Sequence, residues 1–409
     1  MQDRNFSILR RFSREIPYLI TTFLGLATAF IISVTITKNL GIHDRSVYGI
    51  ATVTIMQVLL ISQLGLPGSF SIFGFHIFKK IKLTWLLRLW LSKLSFIGIA
   101  VGFYLNSQAF DYFVAVLVLL NCAILIPAQW IFNSLQQYVS RNNFFLLRLV
   151  PSVTQLSIVL AIHSLKIQNL KNFLISWVLS NIIFLLVSIR VCQIQMQVFS
   201  VSPDRSVFKK LLKNGYAGFI PHISIQEILK IEYLLIPLVK SPLFSASYFA
   251  IVGISSWPKA ICDSVAISNF NTILKTDTFR KSDHIRRVLF QISIILFSAI
   301  LINLCVLFEV TTIFPNHYKS NLWAIIPLTL SATFSSSRRL FLDILRVKGE
   351  FEAKKATSIE IAAFIPIFAA NIFLFVDISL VTWSYFVAIA SLFGLLITIM
   401  KIRVHANID

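Results

Sequence analysis

Long apolar runs alternate with short polar connections along the whole chain. Twelve such runs can be drawn, at about 16–37, 46–73, 83–105, 110–132, 144–165, 171–191, 215–239, 244–270, 288–308, 321–343, 356–376 and 378–400. About 20 apolar residues are enough for a helix to cross a bilayer. Inside lipid the backbone must satisfy its own hydrogen bonds, which predicts helices for runs of this length. The expected fold is therefore an all-α polytopic membrane protein with about twelve transmembrane helices. The longest connection, about 192–214, is too short for a soluble domain. The first run exceeds a signal-peptide core and lacks a small-residue cleavage site, so it is expected to be a retained helix.

Composition agrees with the pattern. Of 409 residues, 56% are hydrophobic and only 13% charged, against about 25% charged in a soluble domain. Mean hydropathy is +0.80. The net charge of +20 would point to nucleic acid in a soluble protein, but no basic soluble segment exists here to bind one. Position explains it better. With the N-terminus inside, 28 of the 37 Lys and Arg fall on cytoplasmic segments, including the cluster at 338–355. Outer connections hold six: Lys38, Arg45, Lys166, Lys171, Lys240 and Lys319. The positive-inside rule then places both termini in the cytoplasm and supports an even number of spans. Basic loops of this kind also touch anionic lipid. The cysteines Cys122, Cys192, Cys262 and Cys305 lie in or at the ends of apolar runs without metal-ligand spacing, and the histidines lack a second ligand at useful spacing. No metal site is expected.

A faint repeat is present. Residues 46–59 read SVYGIATVTIMQVL and residues 246–259 read ASYFAIVGISSWPK. Each follows an outer connection and opens an even-numbered span, six helices apart. Tyr48 corresponds to Tyr248, and Leu59 to Lys259. Two six-helix halves around a central cavity follow from that arrangement, with an N-terminal lobe at 1–192, a cytoplasmic linker at 193–214 and a C-terminal lobe at 215–409.

Three cations remain at mid-span: Lys93, Lys230 and Lys259. The hairpin 215–270 is unusual, carrying Glu227, Lys230, Glu232, Lys259 and Asp263. One charge at the centre of a spanning helix costs about 2.5–3.5 kcal/mol on insertion scales. Five together are expected to face a wet, protein-lined cavity rather than lipid. Glu227 and Lys230, three apart, share a helix face, as do Lys259 and Asp263, four apart. The lysines suit an anionic ligand. Alternatively, the two pairs are structural and lock the helices together. Lys93 joins the cavity or snorkels to an interface. Glu227, Glu232 and Asp263 are candidates for coupling to H⁺ or Na⁺, or simply pair with the lysines. Arg148, Asp343 and Glu360 are expected near the inner face in solvated or snorkelling roles. Gln57, Asn121, Gln129 and Gln155 suit interhelical hydrogen bonds or contacts to a polar cargo.

Short motifs add a resemblance. Leu40-Gly41, Tyr48-Gly49 and Leu64-Gly65 punctuate residues 38–70. KKLLKNGYAGFIPHIS (209–224) opens the seventh run, and LRVKGEFEAKKA (345–356) links the tenth and eleventh. In these features and in helix order the chain resembles the O-antigen and polysaccharide (Wzx-like) flippases of the multidrug/oligosaccharidyl-lipid/polysaccharide exporter superfamily. It departs from them at ISNFNTILK (267–275), where that family commonly has a proline.

The resemblance implies translocation of an undecaprenyl-diphosphate-type lipid-linked oligosaccharide from the inner to the outer leaflet of a bacterial inner membrane. Lys230, Lys259 and Lys93 would then contact the diphosphate or acidic sugars. A polymerase and a chain-length regulator would be partners. No cofactor is implied beyond an H⁺ or Na⁺ gradient.

A small-molecule or drug exporter of the same superfamily is the main alternative. A membrane glycosyltransferase or polymerase is a weaker one, because outer connections of about ten residues leave little room for catalytic loops. No GxxxxGK[ST] motif is present, so any ATPase would be a separate protein. No catalytic constellation is evident, and the chain is expected to be a non-enzyme.

Overall fold

The computed structural model describes residues 2–63, 111–135, 141–195, 231–262, 281–305, 313–347 and 350–406. The long described elements are all helices: α1 (Gln2–Asn39), α2 (Ile42–Gln63), α3 (Tyr112–Leu135), α4 (Arg141–Ser164), α5 (Leu170–Gln195), α6 (Ile231–Val239), α7 (Pro242–Ser255), α8 (Lys281–Cys305), α9 (Ile325–Val347), α10 (Glu350–Ile372) and α11 (Leu380–Ala406). Among the described residues, six helices hold spans long and apolar enough to cross a membrane. They are Ile20–Asn39, Tyr112–Gln129, Leu146–Ser164, Leu170–Val191, Ser358–Phe375 and Leu380–Ile402. Each coincides with one of the expected runs to within a few residues. The chain is a multi-pass, all-α membrane protein.

Side chains at helix starts explain where several of these helices begin. Asp111 Oδ1 accepts the Val114 N–H at 2.7 Å, and Asn169 Oδ1 accepts the Asn172 N–H at 2.8 Å. Ser379 Oγ does the same for Thr382 at 3.0 Å. Ser241 caps α7 through the Phe244 N–H, with Pro242 in the first turn. Each cap satisfies a donor that the helix cannot, and proline suits the first turn because its missing N–H would go unused there.

The chain divides into two compact units, one of residues 39–237 and the other of residues 1–38 with 238–409. In the first, α5 packs along both α3 and α4, and α2 lies on α3. In the second, α11 packs along α9 and α10, and α7 lies on α9. The packing scheme is thus repeated: the helix carrying Tyr48 or Tyr248 lies on the helix two apolar runs later, which packs along the helix two runs beyond that.

The repeat extends to side chains. Tyr48 on α2 tilts against Trp177 on α5, ring centroids 6.4 Å apart. Tyr248 on α7 meets Trp383 on α11 edge to face at 5.7 Å. Asn181 on α5 donates to Asn121 Oδ1 on α3 at 2.9 Å, and Ser331 on α9 bonds Ser391 on α11 at 2.8 Å. In both units a polar pair joins the helices that hold each other most closely.

Polarity is inverted relative to a soluble fold. Leu186, Ile365 and Phe393 are exposed, whereas Asn121, Ser180, Ser384 and Thr398 are buried. Lipid is as apolar as leucine, so small and polar residues turn inward and let helices approach. Buried hydroxyls are satisfied by their own helix. Ser176 donates to Phe173 O at 2.6 Å, Thr329 to Ile325 O at 2.7 Å and Thr398 to Gly394 O at 2.9 Å.

Candidate functional site

The eighth expected run is broken. Helix α7 ends at Ser255, and Ser256 forms a turn before helix resumes at residues 257–262. Pro258 explains the break, since it has no N–H to give to the carbonyl of Ile254 four residues earlier. The Ser256 N–H turns back to Val252 O at 3.0 Å, and the Lys259 and Ala260 N–H groups both go to Ser256 O at 3.1 Å. The Ser256 hydroxyl donates to Gly253 O at 2.9 Å, and Ser255 to Val252 O at 3.2 Å. Two serine hydroxyls thus take up carbonyls at the break. Non-regular backbone at membrane depth is tolerated only where protein or a water-lined cavity surrounds it.

Lys259 leaves the chain within one turn of this break and is half-buried. Trp257, also half-buried, packs edge to face against Phe30 of α1 at 6.2 Å. The broken segment is therefore held from one side by an aromatic contact. Lys259 thus belongs to the short helical stretch 257–262 that follows the break.

Of the six residues expected to contact the cargo or couple an ion, the structure describes Lys259 and Glu232. Glu232 is half-buried in the first turn of α6 and belongs to the unit 39–237, whereas Lys259 belongs to the other. Lys93, Glu227, Lys230 and Asp263 lie outside the described residues.

Three charges fall where the sequence did not point. Arg45, counted above as an outer-loop cation, is only 3% exposed within α2. Its guanidinium lies 5.8 Å from the centre of the Tyr48 ring, and Gln155 on α4 donates to the Tyr48 hydroxyl at 3.4 Å. Arg338, counted as a cytoplasmic-loop cation, is 2% exposed inside α9 and donates to Ala363 O on α10 at 3.4 Å. Glu360, expected to be solvated or snorkelling, is also 2% exposed. It precedes Ala363 by one turn of α10, on the same face. The physical reason for all three corrections is the same. Each lies at or near the end of an apolar run, where solvation is expected, and neighbouring helices cover it instead.

A signal for Arg338 is present in retrospect. The run TLSATFSSSRR (329–339) places Thr329, Thr333 and Ser337 at helical spacing, and all three are buried. That hydroxyl stripe marks an inward face leading to the arginine. The same region has no slack. A Cβ built on Gly394 of α11 would stand 2.6 Å from Ala363 O and 3.3 Å from Arg338 Nη1. Lys240, also counted above as an outer-connection cation, donates to Val376 O at 2.6 Å and lies over the Phe244 ring at 5.3 Å. It ties the α6–α7 turn to the α10–α11 turn.

No family model matches the sequence, and no curated protein matches it. Solved structures do. The lipid II flippase MurJ in an inward closed conformation superposes with a TM-score of 0.62 at 14% identity, covering 95% of this chain and 87% of that one. MATE in complex with MaD5 gives 0.60 at 15% identity, covering 96% and 94%. An outward-facing multidrug resistance MATE family transporter of the MOP superfamily gives 0.54 at 13% identity, covering 96% and 95%. At such identities the likeness is one of fold, and it runs nearly end to end. The chain is an all-helical, multi-pass membrane protein with the fold of the MOP-superfamily transporters.

Proposed function

We propose that this protein is a flippase that moves a lipid-diphosphate-linked oligosaccharide between membrane leaflets by alternating access. The observation that carries the reading is Lys259, half-buried beside the break after α7, in a fold shared with a lipid II flippase. The cargo joins an anionic diphosphate and a polar glycan to a long apolar tail. A cation on a broken helix offers the headgroup an electrostatic partner while the tail stays in lipid. In this reading Lys259, Lys230 and Lys93 contact the headgroup, and Glu227, Glu232 and Asp263 couple transport to H⁺ or Na⁺. The two lobes at 1–192 and 215–409 are the moving parts. The protein carries out no chemical step. It sits in a bacterial inner membrane with both termini in the cytoplasm, as the excess of basic residues on one set of loops suggests. It delivers repeat units to a polymerase and chain-length regulator.

The test is transport in reconstituted vesicles. A fluorescent lipid-diphosphate oligosaccharide should become accessible to a membrane-impermeant quencher only when the protein is present. A lipid of the same tail with a neutral headgroup should not. Equal rates for both lipids would refute the role given to the lysine.

The MATE likenesses support a second reading, export of a small molecule. Protein-dependent, ion-driven accumulation of small organic cations without lipid flipping would favour it.

A further inference from the structure

The geometry points to the α4–α5 turn as a contact for anionic phospholipid, with Leu165 and Ile167 set into the edge of the bilayer and Lys166 and Lys171 at its phosphates. The turn joins the spans Leu146–Ser164 and Leu170–Val191, so the membrane surface passes close to it. Its apolar residues face outward. Leu165 is 68% exposed and Ile167 48%, and both lie between the two spans. Lys166, which separates them, is exposed as well.

The local fold suits that place. Lys166 has a left-handed φ of 57° and is the one non-glycine with positive φ among the described residues. Its N–H returns to His163 O at 3.1 Å, and the Ile167 N–H reaches back to Ile162 O at 3.2 Å. This pair of bonds is the Schellman closure of a helix end. Gln168 Nε2 donates to His163 O at 3.1 Å, and Asn172 Nδ2 to Ile167 O at 2.7 Å. The turn thus satisfies these backbone groups from within, as an apolar boundary requires. Glycine adopts such a φ without steric cost. A lysine held there against its preference points to a use for its side chain.

Neighbouring groups complete the surface. Lys171, in the first turn of α5, lies over the Phe113 ring of α3 at 4.9 Å. Tyr112, beside Phe113, is 86% exposed and opens the span of α3. Tyrosine collects at headgroup level, where its ring meets apolar chains and its hydroxyl meets water. Lysine lays its stem along apolar surface and holds the ammonium in the polar layer. Two of the six cations assigned above to outer connections therefore share this rim. The occupant is lipid, because the exposed apolar surface of the turn continues onto Leu160 of α4, within the span itself.

The experiment places a fluorophore on Ser164→Cys in the full chain, with its own cysteines replaced, in lipid nanodiscs. Nitroxide carried on phospholipid headgroups should quench it, and aqueous iodide should not. At equal mole fraction, nitroxide phosphatidylglycerol should be enriched over nitroxide phosphatidylcholine by about fivefold per lysine. Lys166→Gln with Lys171→Gln should abolish that preference while quenching by both lipids persists. Leu165→Asn with Ile167→Asn should admit iodide. Lys166→Gly separates this role from a structural one: it should raise the melting temperature, by relief of the left-handed φ, and still lower the preference about fivefold. Iodide quenching of the label with the turn intact, equal quenching by the two lipids, or a preference unchanged in the lysine variants would overturn the assignment.

Discussion

Tyr248 on α7 and Trp383 on α11 meet edge to face with ring centroids 5.7 Å apart, both almost wholly buried. Phe244 approaches the same indole at 6.4 Å. The indole is therefore the pin between α7 and α11, as Trp177 is between α2 and α5 in the other unit. Trp383→Ala should lower stability by about 3–5 kcal/mol, the usual cost of emptying a large aromatic site. Trp383→Phe should cost less. Thermal unfolding in detergent would show the order, and equal effects would dismiss the pin.

Two glycines should respond in opposite ways. Gly394→Ala forces a methyl against the Ala363 carbonyl at 2.6 Å, and a backbone atom cannot step aside cheaply. Overpacking of this kind costs about 1–3 kcal/mol. Around Gly253 a Cβ meets nothing within 4 Å, so Gly253→Ala should leave stability unchanged or improved. Paired melting curves decide the matter.

Arg338 is expected to be structural. Arg338→Ala removes the bond to Ala363 O and should cost about 1.5–3 kcal/mol, the range for hydrogen bonds to charged groups. Protein that remains folded should transport at the wild-type rate. A selective loss of transport at unchanged stability would move Arg338 into the working site.

Lys259 is expected to be functional under the proposed reading. Lys259→Ala should slow flipping of a lipid-diphosphate glycan about tenfold or more, equivalent to about 1.4 kcal/mol, with little change in melting temperature. Lys259→Arg should recover part of the rate, since it keeps the charge but not its compact shape. Vesicle assays with matched protein amounts would measure both.

The Asn121–Asn181 bond at 2.9 Å should matter modestly. Interhelical hydrogen bonds in membrane proteins average about 0.6 kcal/mol in double-mutant cycles. A cycle with Asn121→Ala and Asn181→Ala should give a coupling near that size.

The amino-acid sequence by itself determined that the chain is helical and crosses a membrane many times. The reason is solvent: lipid offers the backbone no hydrogen bonds, so an apolar run such as 171–191 has one solution, and Leu170–Val191 adopts it. The break at Ser256 was foreshadowed by Trp257-Pro258, because a missing N–H acts locally. Tertiary structure alone decided which polar residues turn inward. Arg45, Arg338 and Glu360 lie at or near the ends of apolar runs, where solvation is expected, yet packing buries all three. It also decided the partners. Tyr48 and Tyr248 could be aligned along the chain, but Trp177 and Trp383 become their counterparts only when distant helices pack in the same order twice.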